Sequence, residues 1–357
     1  MDYRGFIVEN SRGNRERPIA VLARKKILTR MLLPLLVLPP VAALMLVVSL
    51  PSLFGNEPAI GPSPVEQSLC LLDPDGKADV LVGGDSRALY QLIPSILEDS
   101  TQKKCVNLGQ WLLLSGDPTS LVNALRKHPE ALAGHPTLVI SITLDAFNDL
   151  AFKGIPIVTL LNWSLGDHLR TLLHRPKAYP LFWFREMLPA LGKLARRKWF
   201  TKDIGCSRFT FLPRRLAENS GFEPYEGRKT ENLWGMPAVE RDYLLDGGNW
   251  KSFRKSLDWI DHSPIKRVII LNAPLDTSWI SAINGPVPMR MEARLCAQME
   301  KEAERHAKAT FLDLFTHPLP QIPESLFYDQ YHLNHQGAII LSRWLGGILA
   351  SGSHLGP

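Results

Sequence analysis

Cysteine is scarce in this chain. There are four in 357 residues, Cys70, Cys105, Cys206 and Cys296. None falls in a CxxC pair or a Cys/His spacing that would hold zinc, which excludes a zinc-organised fold. The ten histidines include no H-E-x-x-H or similar ligand spacing, so no catalytic metal is expected. Walker and dinucleotide glycine patterns are absent too, so no nucleotide cofactor is expected. The G-x-S-x-G elbow of the α/β-hydrolases is missing. Excess charge is nearly confined to one end. Residues 1–30 hold eight Lys/Arg against three acids, and of the total of +6 only +1 remains for everything after. The folded part therefore carries no electrostatic footprint for nucleic acid.

What is present begins with an uncharged run. Met31–Phe54 is 24 residues without a charge, and a bilayer-spanning helix needs about 20 apolar residues. The basic arm before it should remain cytoplasmic, which puts the rest of the chain in the periplasm or outside the cell. A cleaved signal peptide would have a shorter arm and a small-x-small site. Val48–Leu50 and Ser52–Phe54 are poor sites, so an uncleaved single-pass signal anchor is expected. Pro34, Pro39 and Pro40 point to a partner helix that satisfies the freed carbonyls. The organisation expected is a basic arm over 1–30, an anchor over 31–54, a linker over 55–77, one domain over 78–350 and a short tail, 351–357. Outside the cytoplasm a disulfide is permitted. Cys70 and Cys105 precede the first two predicted strands and could meet there. Two free buried thiols fit the pattern as well.

The domain alternates strand and helix. Ala78–Val82, Cys105–Leu108, Thr137–Leu144, Ile265–Leu271 and Thr310–Leu314 read as strands. Helices are expected from Arg87 to about Leu97, over Pro118–Lys127 and Met289–Lys308, and finally over Ala338–Ala350. This is an α/β pattern with a flavodoxin-like parallel sheet and helices on both faces. The rhythm breaks between 150 and 262, which reads as a large, mostly helical and irregular insertion. Arg208–Asn249 within it reads as a long irregular loop of the kind that often covers substrates. The insertion's basic stretch, Lys193, Arg196, Arg197 and Lys198, fits a solvated face, an anionic membrane surface or an anionic polymer.

Two short motifs carry chemistry. VLVGGDSRALY, Val80–Tyr90, places Ser86 at a strand-to-helix turn on the carboxyl edge of the sheet, where open α/β sheets bind ligands. Asp85 and Ser86 alone would equally serve as a helix cap. FYDQYHLNHQG, Phe327–Gly337, sets Asp329 and His332 three residues apart before the last helix. A nucleophilic serine needs a base within reach and a carboxylate to orient that base. His335, three residues further on, reads as the first helical turn.

Together these blocks resemble the SGNH (GDSL-type) hydrolases. The resemblance implies Ser86 as nucleophile, with His332 and Asp329 completing the triad. It also implies an oxyanion hole from the Ser86 N–H, the Gly109 N–H in VNLG and the Asn148 side chain in AFND. Ala146 stands where the family usually has glycine, and Asp145 is a further polar group nearby. NAPLDTSW and YHLNHQGA are similar to the membrane-anchored acyl-transfer branch, the DltD-like and AlgJ-like proteins of teichoic-acid D-alanylation and alginate acetylation. That branch implies a serine acyltransferase or esterase without cofactor, an acyl donor, a polysaccharide acceptor and a membrane-bound O-acyltransferase partner. A degenerate domain that binds glycan or scaffolds such a complex is the alternative.

Overall fold

A computed structural model describes residues 65, 69, 77–110, 118–154, 163–187, 236, 238–318 and 320–351. The basic arm, the expected anchor Met31–Phe54, nearly all of the linker, Cys70, Cys206 and Lys193–Lys198 lie outside the described residues. Among the described residues no helix is long and apolar enough to cross a membrane.

Five strands form one parallel sheet: β1 Val80–Gly84, β2 Cys105–Asn107, β3 Thr137–Ile142, β4 Arg267–Asn272 and β5 Ala309–Asp313, in the order β2-β1-β3-β4-β5. The apolar runs behind them are continuous because both faces are covered. Successive side chains go to opposite sides. Leu81, Leu138, Ile140 and Ile270 enter one core, and Val80, Val82, Val139 and Ile269 enter the other.

Helices supply the covers. They run α1 Ser86–Gln91, α2 Pro94–Thr101, α3 Pro118–Lys127, α4 Leu144–Phe147, α5 Leu165–His174, α6 Ala178–Phe182, α7 Gly248–His262, α8 Thr277–Asn284, α9 Val287–Ala303 and α10 His335–Ser351. The first core takes Leu121 and Leu125 of α3, Phe253 and Leu257 of α7, and Leu295 and Met299 of α9. The second takes Ala88 of α1, Leu97 of α2, and Leu341 and Leu345 of α10.

Two elements differ from the sequence expectation. The single helix expected after Ser86 is broken into α1 and α2. Pro94 pushes Ile93 out of the helical region, to φ −94° and ψ 110°. Ser342 Oγ fills the gap, accepting the Ile93 N–H at 2.9 Å and donating to the Gln91 carbonyl at 3.3 Å. The other difference is α7. It lies within the segment read as an insertion, yet it is the helix that returns the chain from β3 to β4. Trp250, Phe253, Leu257 and Ile260 recur at helical spacing and are buried against the sheet. Cys105, at the start of β2, is a free buried thiol.

Candidate active site

The strand order reverses at β1, which has β2 on one side and β3 on the other. Connections leaving the carboxyl ends of β1 and β3 diverge there and open a crevice. Gly84 makes the turn into that crevice. Its φ is +124°, and a Cβ there would lie 2.2 Å from the Ser141 carbonyl oxygen on β3. Only glycine accepts both conditions. Asp85 then caps α1, its Oδ1 accepting the Arg87 N–H at 2.9 Å. Ser86 is the first residue of the helix. Its own N–H has no acceptor among the described residues, as expected for a first helical turn.

The partner loop comes from the other end of the chain. Phe327 and Leu333 pair as an antiparallel bridge, and both side chains sink into the second core. The Tyr328 N–H donates to the His332 carbonyl at 2.7 Å and closes the loop. Within it Asp329 Oδ1 accepts the N–H groups of Tyr331 and His332, at 2.8 and 2.9 Å. Gln91 of α1 holds the loop from outside, its Nε2 donating to the Tyr331 carbonyl at 2.6 Å.

The two ends meet in a relay. His332 Nε2 lies 2.8 Å from Ser86 Oγ, and His332 Nδ1 lies 2.9 Å from each Asp329 oxygen. An ionised carboxylate only accepts, so Nδ1 donates to Asp329 and Nε2 accepts the Ser86 hydroxyl. Tyr90 stands edge-on to the imidazole, with ring centroids 5.7 Å apart. Burial pushes the Asp329 carboxyl up. The hydrogen bond and charge of His332 and the two loop N–H groups outweigh it and hold the group below its ordinary 3.8.

The other two expected oxyanion donors are engaged inside the fold. Gly109 N–H donates to Asn107 Oδ1 at 2.8 Å. Asn107 is itself held by its Nδ2, which donates to the Ala88 and Leu92 carbonyls of the first helical segment. Asn148 Nδ2 donates to the Asp242 carbonyl at 3.2 Å, while its Oδ1 accepts the N–H groups of Leu150 and Leu244. Asp149 accepts the Gly248 and Asn249 N–H groups at the start of α7. Asn148 and Asp149 thus clamp the chain returning to α7. Burial pushes the Asp149 carboxyl up to about 7 against those two N–H bonds.

Behind Ser86 lies a charged cluster that the motifs do not announce. Arg87 is buried, with Nε 3.7 Å from Asp85 and Nη1 donating to Asn272 Oδ1 and the Ala273 carbonyl at the end of β4. Asn272 Nδ2 donates to Glu292 at 2.9 Å. Burial raises the carboxyls of Asp85, Asp145 and Glu292, the last to about 7, and the Arg87 charge opposes the rise in all three. His335, without a role in the relay, begins α10 as its spacing predicts. Among the described residues no group of His, Cys, Asp and Glu is placed to hold a metal ion. Gln91 and Asn107 were not expected as supports. A lone buried Gln in a six-residue helix carries no signal in a single sequence, whereas Asn107 sits visibly at a strand's polar end.

No family model matches the chain, and no curated protein matches it.

Proposed function

We propose that this chain is an extracytoplasmic serine-dependent O-acyltransferase or esterase of the SGNH type, acting on a cell-envelope polysaccharide. In this reading its sheet is the flavodoxin-like sheet of that superfamily, and Met31–Phe54 anchors it in the cell membrane. One observation carries the proposal: Ser86 Oγ, His332 and Asp329 stand in hydrogen-bonded series, drawn from segments 246 residues apart in sequence. A serine that merely capped a helix would have no need of such a partner.

The chemistry follows from the atoms. Ser86 Oγ attacks the carbonyl carbon of an acyl ester while its proton passes to His332 Nε2. The tetrahedral oxyanion then collapses. The leaving alkoxide takes that proton, and the acyl group stays on Ser86. An acceptor hydroxyl, from a sugar or from water, next gives its proton to His332 and attacks the acyl carbon. The proton returns to Ser86 Oγ as the product ester or acid departs. The unoccupied Ser86 N–H is the donor ready for the oxyanion, and such donors are worth several kcal/mol. Gly109 joins it only if the Asn107 carboxamide turns away. By resemblance, the acyl donor arrives through a membrane-bound O-acyltransferase.

The engagement of Gly109 and Asn148 favours one second reading, a degenerate domain that binds glycan or scaffolds an acylation complex. A fluorophosphonate probe separates the two. Covalent labelling mapped to Ser86 by mass spectrometry, and lost in His332→Ala, supports the enzyme. Absence of labelling on folded protein, with glycan binding intact in Ser86→Ala, supports the binding module and overturns the enzyme.

A further inference from the structure

Six large hydrophobic side chains are exposed among the described residues, and four of them share one helical hairpin. Leu169 is 38% exposed and Leu173 79%, one turn apart on α5. Leu181 is 51% exposed on α6, and Phe184 is 47% exposed in the helical turn that continues it, Trp183–Met187. Lys177 and Arg185 lie four residues either side of Leu181. Both are exposed, and neither has a carboxylate partner among the described residues. We propose that this outer face of the hairpin docks on an anionic lipid bilayer.

The exposure is not the by-product of a loose element. The inner face of the hairpin is well packed: Trp163, His168, Tyr179 and Trp183 form an aromatic cluster, with His168 5.4 Å from Trp163 and 5.7 Å from Trp183 between ring centroids. His168 also pairs with the Tyr179 hydroxyl. Asp167 with Lys251, Arg170 with Asp246 and Arg175 with Asp242 rivet the hairpin to the first turn of α7 and the chain entering it. Leu173, which is mostly exposed, therefore adds little to this packing. Exposed apolar side chains beside cations that have no carboxylate partner among the described residues are what the lipid interface selects. An anionic polymer would pair with the cations but leave Leu173 in water.

Sequence outside the described residues points the same way. The basic stretch Lys193–Lys198 follows the hairpin directly. The expected anchor is joined to the domain by residues 55–77, a tether whose reach is at most about 80 Å. Asn148 and Asp149 fasten the partner segment 242–249 to the end of β3, so the docking face is rigidly connected to the edge of the sheet that carries Ser86. If the proposed function holds, docking keeps that edge near the membrane that delivers the donor. The docking itself does not depend on it.

The test uses the full chain in vesicles, with Cys70 and Cys206 replaced by serine because Cys105 and Cys296 are buried. An environment-sensitive fluorophore is placed at Leu173→Cys, at Leu181→Cys, or at Lys266→Cys, an exposed position at the amino end of β4. In vesicles containing phosphatidylglycerol, brominated lipid should quench the first two positions and spare the third. Neutralising both cations, Lys177→Gln with Arg185→Gln, should lower the docked-to-free ratio roughly 30-fold, at about 1 kcal/mol per charge. Flotation of the chain with the vesicles reports the anchor separately. The proposal is overturned if the Leu173 probe stays in water on chains that float. It is equally overturned if the probe is shielded from water yet escapes quenching by brominated lipid, which would mean that the chain covers its own hairpin. Shielding by an anionic polysaccharide and not by lipid would assign the face to a polymer.

Discussion

At Asp329 one atom decides the tautomer of His332. Its carboxylate can only accept, so the imidazole proton sits on Nδ1 and leaves Nε2 to take the proton of Ser86. Asp329→Asn puts an N–H donor within reach of Nδ1 and reverses that preference. Under the proposed function, kcat should fall on the order of 10³–10⁴-fold with little change in melting temperature, measured on an acetyl ester. A second residue gives a prediction free of catalysis. Glu292 is buried, with its carboxyl pushed up from 4.5 to about 7. A carboxyl with a raised folded pKa holds its proton more tightly in the fold. The stability it gives is therefore complete below pH 4.5 and is lost as pH rises through 7. Asp149, also raised to about 7, acts in the same direction. Thermal melts should thus fall between pH 5 and pH 8. Glu292→Gln, neutral throughout, should remove part of that fall, on the order of 1–2 kcal/mol; an unchanged slope would show that Glu292 ionises normally. Ser86, Asp329 and His332 were legible at this scale because each stands in a short motif. The Asn107 bond that engages Gly109 was not, since it depends on how the end of β2 lies beside α1.

Among the elements, the break between α1 and α2 matters most. It turns Gln91 toward the Asp329–His332 loop and lets Ser342 of α10 stitch the gap. Gln91→Ala removes the hydrogen bond from the Gln91 side chain to the Tyr331 carbonyl without touching the triad. A displacement of about 1 Å at the reacting atoms costs roughly 100-fold. The expected outcome is a 10- to 100-fold lower kcat, KM near wild type, and a loss of stability of about 1 kcal/mol from the missing hydrogen bond. Steady-state kinetics and urea unfolding check the two parts separately. An unaltered kcat would mean the loop holds itself in place through its Phe327–Leu333 bridge. Pro94 was a visible signal for this break, because the residue before proline avoids the helical region. The helix α7 was hidden for the opposite reason. Its apolar positions are interleaved with Lys251, Arg254, Lys255 and Asp258 and it opens at Gly247 and Gly248, so the segment reads as part of an insertion until the sheet is there to cover.

For the molecule as a whole, the sheet is a partition between two apolar cores, and α10 with α2 closes the one beneath Ser86. Leu345 of α10 is fully buried in it. Leu345→Ala should cost about 2–5 kcal/mol, seen as a lower denaturant midpoint with an unchanged slope. A loss under 1 kcal/mol would mean that α10 repacks. The strand-and-helix alternation, the exposed serine turn after β1 and the Asp-x-x-His spacing are local patterns, and local patterns are written in consecutive residues. The amino-acid sequence by itself therefore determined the α/β class, the parallel strands and the three residues of the relay. Tertiary structure alone decided the rest: that Ser86 meets His332 across the sheet edge, that Asn148 and Asp149 clamp the chain 94 to 100 residues downstream, and that one hairpin keeps its leucines outside. Those outcomes depend on which surfaces remain uncovered once the cores have closed, and no single stretch of sequence contains that information.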